Sequence, residues 1–265
     1  MTSAEVHSQI AVVADLMAPA AEIALRWFRT PLDVANKAGE GWFDPVTRAD
    51  HEVEAFLRGE LESRFPGHRI LGEETGEGGG GGPLRWVIDP IDGTRAFVSG
   101  NPLWGIMVGL DDGARALGGV VHIPYLGETF AGTGTEAWMR RGAEDTVARS
   151  RGTTALADAI LYCTHPDTIG GGRNGDAFAE LAGRSRMVRY GGDCYSYCLL
   201  ALGQVDLVVE GCLQPYDVVP VIPIVEGAGG VMTDWHGNPA EGGGFVVAAA
   251  NRELHARAVE ILSRA

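Results

Sequence analysis

Trp86-Val87-Ile88-Asp89-Pro90-Ile91-Asp92-Gly93-Thr94-Arg95 decides the reading of this 265-residue chain. Trp86-Val87-Ile88 has the pattern of a short buried strand, and that strand runs into two carboxylates three positions apart. Pro90 biases Asp89 toward an extended conformation and removes one backbone donor. Gly93 permits a tight turn, and Thr94 can open a helix that runs through Ala96-Phe97. Such a turn aims Asp89, Asp92 and the Ile91 carbonyl at one point, offering the oxygen ligands that a hard cation such as Mg²⁺ takes. The N–H groups of Gly93 and Thr94 would then face a bound anion at the helix start.

Two further acidic clusters lie outward from this segment. Gly72-Glu73-Glu74 ends a predicted short strand over 68–72, and Glu210 is followed seven residues later by Asp217 at the head of an apolar run. Each has a plain alternative. Adjacent glutamates are usually solvated, and an Asp before a helix is often only its cap. Three acidic clusters at the ends of elements are harder to dismiss together.

The periodicity predicts a long amphipathic helix over 5–28, bent near Pro19, and a second over 47–64. Strand patterns follow at 104–110, 118–123, 128–131 and 137–140, with a hairpin turn at Gly132-Thr133-Gly134. A composition change near 145–153 divides the chain into an N-terminal α+β half, 1–148, carrying most of the acidic candidates, and a C-terminal α/β half, 149–265, supplying Asp217. The second half alternates strands at 159–163, 187–190, 205–210 and 245–249 with helices at 175–181, 194–202, 218–228 and 252–264. Alternation of this kind implies helices packed on a sheet. The run Gly76-Glu77-Gly78-Gly79-Gly80-Gly81-Gly82 lacks the Lys and Ser/Thr of a phosphate loop and reads as a mobile surface loop.

Composition narrows the partners. Net charge is −14, which excludes nucleic acid as the main partner because phosphate backbones are held by basic patches. A phosphorylated small molecule stays open, since bound cations invert local charge. No uncharged apolar stretch has the length of a membrane span, and residues 1–30 lack a secretory signature. Cys163, Cys194, Cys198 and Cys212 form neither C-x-x-C pairs nor zinc spacing, and read as reduced thiols of a cytoplasmic protein.

With Pro45-Val46-Thr47-Arg48-Ala49-Asp50, Gly72-Glu73-Glu74, Asp89 to Thr94, Tyr216-Asp217 and Glu226-Gly227-Ala228-Gly229-Gly230 in this order, the chain resembles the inositol monophosphatase-like superfamily of metal-dependent sugar-phosphate phosphatases. The resemblance covers nearly the whole chain. It implies an α/β (α+β) fold, a layered α-β-α-β-α sandwich of the inositol monophosphatase and fructose bisphosphatase type, working as a homodimer with two or three Mg²⁺ per site. It places Glu73, Asp89 and the Ile91 carbonyl on a first Mg²⁺, Asp89, Asp92 and Asp217 on a second, and Glu73 with waters on a weaker third. Glu73 and Thr94 would orient and deprotonate the attacking water. Lys37 and Asp50 match outer positions that support the metal site, Lys37 loosely.

Three segments depart from the inositol-type pattern: Asp92-Gly93-Thr94-Arg95-Ala96-Phe97, Gly192-Asp193-Cys194-Tyr195 and Leu213-Gln214-Pro215-Tyr216-Asp217. They resemble the histidinol-phosphate phosphatase branch, whose reaction falls late in histidine biosynthesis. Gly93, Thr94, Arg95, Gly192, Asp193, Glu210 and Asp217 are then the expected substrate contacts, with Asp193 and Glu210 pairing with the ammonium and imidazole of histidinol. Asp193 could equally cap the helix that follows it. The alternatives are an inositol monophosphatase or broad sugar-phosphate phosphatase, and, in another class, a silent relative that binds metal or a metabolite as a sensor.

Overall fold

A computed structural model describes residues 1–31, 34–36 and 45–265, so Lys37 lies outside the described residues. Two long helices open the chain: α1 (Ser3–Leu25) and α2 (Arg48–Arg64). Each begins in a reciprocal capping box, Thr2 with Glu5 and Thr47 with Asp50, which satisfies donors that a helix start leaves unpaired. A two-stranded pair, β1 (Ala35–Asn36) with β2 (Pro45–Val46), lies between them in sequence.

The first large sheet has eight strands: β3 (Arg69–Gly72), β4 (Gly76–Gly79), β5 (Arg85–Asp92), β6 (Gly105–Asp111), β7 (Ala116–Ile123), β8 (Glu128–Gly132), β9 (Ala137–Arg141) and β10 (Glu144–Val147). Their order is β10-β9-β8-β7-β6-β5-β3-β4, antiparallel throughout except for the parallel pair β3 and β5. The short helix α3 (Thr94–Ser99) leaves the end of β5. The second sheet has five strands: β11 (Ile160–Cys163), β12 (Met187–Tyr190), β13 (Leu207–Leu213), β14 (Val231–Asp234) and β15 (Gly244–Ala249), in the order β12-β11-β13-β15-β14. Around it lie α4 (Pro166–Ile169), α5 (Gly172–Arg184), α6 (Tyr195–Ala201), α7 (Pro215–Val218), α8 (Ile222–Gly227) and α9 (Arg252–Leu262).

Alternation along the strands sorts these elements into layers. Trp86, Ile88, Ile106, Val108, Leu110 and Val120 point to the face covered by α1 and α2. Their neighbours Val87, Met107 and Val121 point the other way, into a core shared with Cys198 and Leu200 of α6, Val218 of α7 and Ile224 and Val225 of α8. Val208, Val246 and Ala248 of the second sheet close that core from its far side. Leu207, Val209, Val247 and Ala249 face outward onto Phe178 and Leu181 of α5 and Leu254, Ala258 and Ile261 of α9. The period of two on both sheets therefore yields helix, sheet, helix, sheet, helix, the layered sandwich expected.

The middle helical layer sits on a row of glycines. Gly109, Gly119 and Gly132 are paired side by side across β6, β7 and β8. A Cβ on Gly119 would overlap the Pro220 carbonyl oxygen, one on Gly109 would lie 2.8 Å from the Pro220 nitrogen, and one on Gly132 would lie 2.5 Å from the Pro223 carbonyl oxygen. The backbone between α7 and α8 thus beds directly on the sheet.

Several expectations are corrected. Of the predicted helix over 218–228 only Ile222–Gly227 is one helix, α8; residue 218 ends the separate short helix α7, and Pro223 falls in the first turn of α8, where its missing N–H has no helical acceptor to lose. The glycine run is no free loop over its first half, because Gly76–Gly79 forms β4, an edge strand antiparallel to β3. Space is tight at two of its positions: a Cβ on Gly79 would lie 2.8 Å from the His68 carbonyl oxygen, and one on Gly78 would lie 2.7 Å from the end of the Arg58 side chain, whereas Glu77 extends its side chain to Arg85. Strands β10 and β14 lacked a recognisable pattern and went unpredicted. Pro19 lies inside α1, which runs continuously. By length and composition alone α1 could cross a membrane, with a mean hydropathy of 1.4. Its apolar side, Val6, Ile10, Val13 and Met17, is instead buried in the first core.

Gly119→Ala should lower the unfolding free energy by about 1–3 kcal/mol through overpacking. Gly59→Ala, in α2 with open space around it, should raise it by about 0.5–1 kcal/mol. Denaturant titration of both variants measures this; an undiminished Gly119→Ala protein would remove the glycine row from the account.

Candidate active site

One cleft, with a volume of about 230 Å³, is lined by Glu73, Asp89, Ile91, Asp92, Gly93, Thr94, Arg95, Asp193, Glu210 and Asp217, together with Pro45, Thr164, Thr168, Gly211, Cys212 and Leu213. Every predicted site residue except Gly192 is in this lining. Gly192 lies behind it, where a Cβ would overlap the Ser196 hydroxyl and crowd the Tyr162 ring.

The geometry starts at the end of β5. Residues three apart on a regular strand face opposite sides of the sheet. Here Asp89 pairs with Met107 and Asp92 with Gly105, so β5 spends one residue more than β6 over the same span. That bulge turns Asp92 back toward the side of Asp89. Asp217 joins them from α7, and the three carboxylates offer oxygens that all lie within 4.8 Å of one another. Each is pinned by a backbone N–H: Ile91 donates to Asp89 (3.1 Å), Cys194 to Asp92 (2.6 Å) and Gln214 to Asp217 (2.6 Å). Asp217 therefore combines a capping role within α7 with its place in the cluster.

Glu73 follows β3, which runs parallel to β5, and its N–H donates to the Ile88 carbonyl (3.1 Å) one residue before Asp89. It lines the cleft beside the cluster of three. Gly93, at φ 81°, occupies the left-handed region and opens α3. The Thr94 hydroxyl donates to the Ile91 carbonyl (3.0 Å). The Asp193 side chain packs over Gly93, within 3.2 Å of where a Cβ would stand, and the Arg95 charge acts on it. Asp193 makes no side-chain cap on α6. Across the cleft Glu210 is buried, and its Oε1 accepts both the N–H (2.8 Å) and the hydroxyl (2.9 Å) of Thr164.

Electrostatics marks the cleft as a place short of positive charge. Burial, then repulsion from Glu73, Asp92 and Asp217, pushes the Asp89 carboxyl well above its ordinary range. Burial and the Asp92 charge do the same to Asp217. Asp92 is raised by burial, against the opposing pull of its hydrogen bond from Cys194. Glu210 is raised to about 8 by burial, and Asp193 to about 8 by burial and the Asp92 charge. Three converging hard carboxylates, mutually repelling, fit a divalent cation of the Mg²⁺ or Mn²⁺ type and not a soft one.

Thr164, Thr168 and the exposed Cys212 were not foreseen as parts of the cleft. Thr164 meets Glu210 across 46 residues of sequence, so no local pattern announces it. Among the described residues all four cysteines are free thiols, with Cys163, Cys194 and Cys198 buried.

Comparison with known proteins agrees with this geometry. The model of the inositol monophosphatase family matches residues 6–265. The chain is 34% identical over 245 residues to the histidinol-phosphatase of Chlorobaculum parvum, covering 91% of each protein. It is 34% identical over 269 residues to the chloroplastic bifunctional phosphatase IMPL2 of Arabidopsis thaliana, covering 96% of this chain and 75% of that one. Among solved structures, an inositol monophosphatase from Zymomonas mobilis superposes with a TM-score of 0.83 at 35% identity, covering 97% of this chain and 98% of the other.

The raised carboxyls give a pH signature. Unfolded, Asp89, Asp193, Glu210 and Asp217 ionise near their ordinary values around 4. Folded and free of metal, they hold protons to higher pH. Their contribution to stability is full below those ordinary values and is lost as pH rises through about 8, where Asp193 and Glu210 titrate. With a chelator present, the melting temperature should fall between pH 6 and pH 9, and a divalent cation should restore more of it at pH 9 than at pH 6. Equal restoration at both would contradict this reading.

Proposed function

The chain belongs to the inositol monophosphatase family and is a metal-dependent phosphomonoester hydrolase, and from this premise we propose that it is a Mg²⁺-dependent histidinol-phosphatase. The reaction would convert L-histidinol phosphate and water to L-histidinol and phosphate, a step of histidine biosynthesis. The observation that carries the substrate assignment is the pair Asp193 and Glu210. They are two carboxylates beyond the metal cluster and Glu73, and Arg95 is the one cationic side chain among the described lining residues. Mg²⁺ and a phosphate can balance one another and the cluster, and Arg95 offsets one further carboxylate, so one acidic charge is left over once bound cations let Asp193 and Glu210 ionise. A substrate with an ammonium group and an imidazole answers that surplus, whereas a neutral polyol does not.

In this proposal Asp89, Asp92 and Asp217 hold one Mg²⁺, and Glu73, Asp89 and the Ile91 carbonyl hold another, with a weaker third at Glu73. Bound Mg²⁺ supplies positive charge against the phosphate and lowers the pKa of water. The chain supplies positioning and proton transfer. Because the Thr94 hydroxyl gives its hydrogen to the Ile91 carbonyl, its oxygen is left to accept one from water. Glu73 would then take the other water proton as general base while the water oxygen bonds to phosphorus and the P–O bond to the alcohol breaks, and the departing alkoxide would take its proton from a solvent water. Gly93 and Thr94 would border the phosphate, Arg95 would meet the phosphate or Asp193, and Gly192 would support the turn before Asp193. A cytoplasmic homodimer belongs to the same proposal and rests on the family resemblance.

A second reading, an inositol monophosphatase, is favoured by the 35% identity to the Zymomonas mobilis protein. A panel of phosphate esters assayed with Mg²⁺ separates the two. Histidinol phosphate should exceed inositol phosphate in kcat/KM by about 100-fold or more, the range that a charge-paired site achieves. Glu210→Gln should raise KM for histidinol phosphate by about 10- to 150-fold, from loss of a charged hydrogen bond worth roughly 1.5–3 kcal/mol. Asp89→Asn should abolish turnover of every ester. Equal or better turnover of inositol phosphate would defeat the substrate assignment, and an active Asp89→Asn enzyme would defeat the metal assignment.

A further inference from the structure

Glu54 lies on α2, outside the cleft, and is completely buried. Its carboxylate is aimed at the turn that follows β3. Oε2 accepts the Glu74 N–H (2.7 Å), and Oε1 accepts the Thr75 N–H (3.1 Å) and the Thr75 hydroxyl. Arg58, one helical turn on, closes the group from the other side. Its Nη2 lies 3.4 Å from Glu54 Oε1 and donates to the Thr75 hydroxyl oxygen (2.6 Å) and the Gly76 carbonyl (2.8 Å).

The glycines around the turn are explained by this group. A Cβ on Gly72 would overlap Glu54 Oε1 and lie 2.8 Å from Arg58, and one on Gly78 would lie 2.7 Å from Arg58. Gly72 and Gly78 therefore leave the space in which the Glu54 and Arg58 side chains reach the backbone. Glu73 sits between two fixed points. Its own N–H is tied to Ile88 on β5, and the next two N–H groups are tied to Glu54 on α2. A charged acceptor serving three donors is worth more than neutral hydrogen bonds, and burial strengthens it.

From this we propose that Glu54, held by Arg58 and Thr75, is the positioning residue that sets the Glu73 carboxylate at the metal cleft. It touches neither metal nor substrate, and acts through the backbone of residues 73–75. The inference rests on the reading of Glu73 as a metal ligand and general base. Substituting Gln at Glu54 conserves volume but replaces one acceptor oxygen with an NH₂ group, which opposes the N–H groups of the turn. Such outer partners of metal ligands typically control metal affinity or activity by about 10–100-fold.

The test compares Glu54→Gln, Thr75→Val and Glu73→Gln in the full-length protein. Mg²⁺ affinity is read by calorimetry and by the Mg²⁺-induced rise in melting temperature, alongside kcat and KM at increasing Mg²⁺. Glu54→Gln should weaken Mg²⁺ binding by about 10-fold or more and lower kcat at limiting Mg²⁺, while KM for the phosphate ester stays within about twofold of wild type. Thr75→Val, which removes one donor of the three, should move Mg²⁺ affinity in the same direction by a smaller factor, and it carries the test if Glu54→Gln does not fold. Wild-type Mg²⁺ affinity in Glu54→Gln, or in Thr75→Val if that variant stands alone, would overturn the positioning role provided Glu73→Gln is impaired. Wild-type affinity in Glu73→Gln would instead overturn the assignment of Glu73 as a metal ligand, and the positioning role with it.

Discussion

Like charges held together against their repulsion are the constraint on which this structure turns. Asp89, Asp92 and Asp217 present oxygens within 4.8 Å of one another, and Glu73 adds its charge to the same cleft. Unpaired carboxylates in such a place shift upward in pKa or drive the chain apart. The fold counters this with main-chain hydrogen bonds, one N–H for each member of the cluster. Those bonds fix where the carboxylates point without neutralising them, so the site is preorganised and short of positive charge. A divalent cation removes that shortage, which makes metal binding and stability one coupled property.

The layers around the cleft serve that arrangement. Asp89 and Asp92 come from the first sheet, Asp217 from the middle helices and Glu210 from the second sheet, so no single layer owns the site. Contacts between segments distant in sequence meet at the chemistry itself. The Cys194 N–H reaches Asp92 across 102 residues of sequence, and the Asp193 side chain packs over Gly93. The glycine row on β6, β7 and β8 lets the backbone at Pro220 and Pro223 lie directly on the first sheet.

Much of this was legible in the sequence, for identifiable reasons. Asp89, Asp92 and Glu73 stand out because they follow apolar strands, and Asp217 because it opens an apolar run. Helices packed on a sheet were legible in the alternation of the second half, and the layered sandwich only in the motifs carrying the family resemblance. Other features depend on contacts that no local window contains. Thr164 on Glu210 and Glu54 on the Glu74-Thr75 backbone are fixed by tertiary packing. Composition reports backbone freedom in the glycine run, whereas β4 is held by pairing with β3, a contact that no local window contains. The break between α7 and α8 was missed because the hydrophobic pattern runs through it, and only the prolines hint that the backbone does not. The bulge that brings Asp92 to the side of Asp89 was legible only in outline, as a need for the two carboxylates to converge.

Crystals of the protein soaked with Mn²⁺, with diffraction recorded at the manganese absorption edge, test most directly that these carboxylates form a metal centre. The account predicts an anomalous peak in the cleft, coordinated by oxygens of Asp89, Asp92 and Asp217 at roughly 2.0–2.3 Å, the range of small hard cations on carboxylates. A cleft without a peak under conditions that support catalysis, or a cation bound away from Asp89, would contradict it.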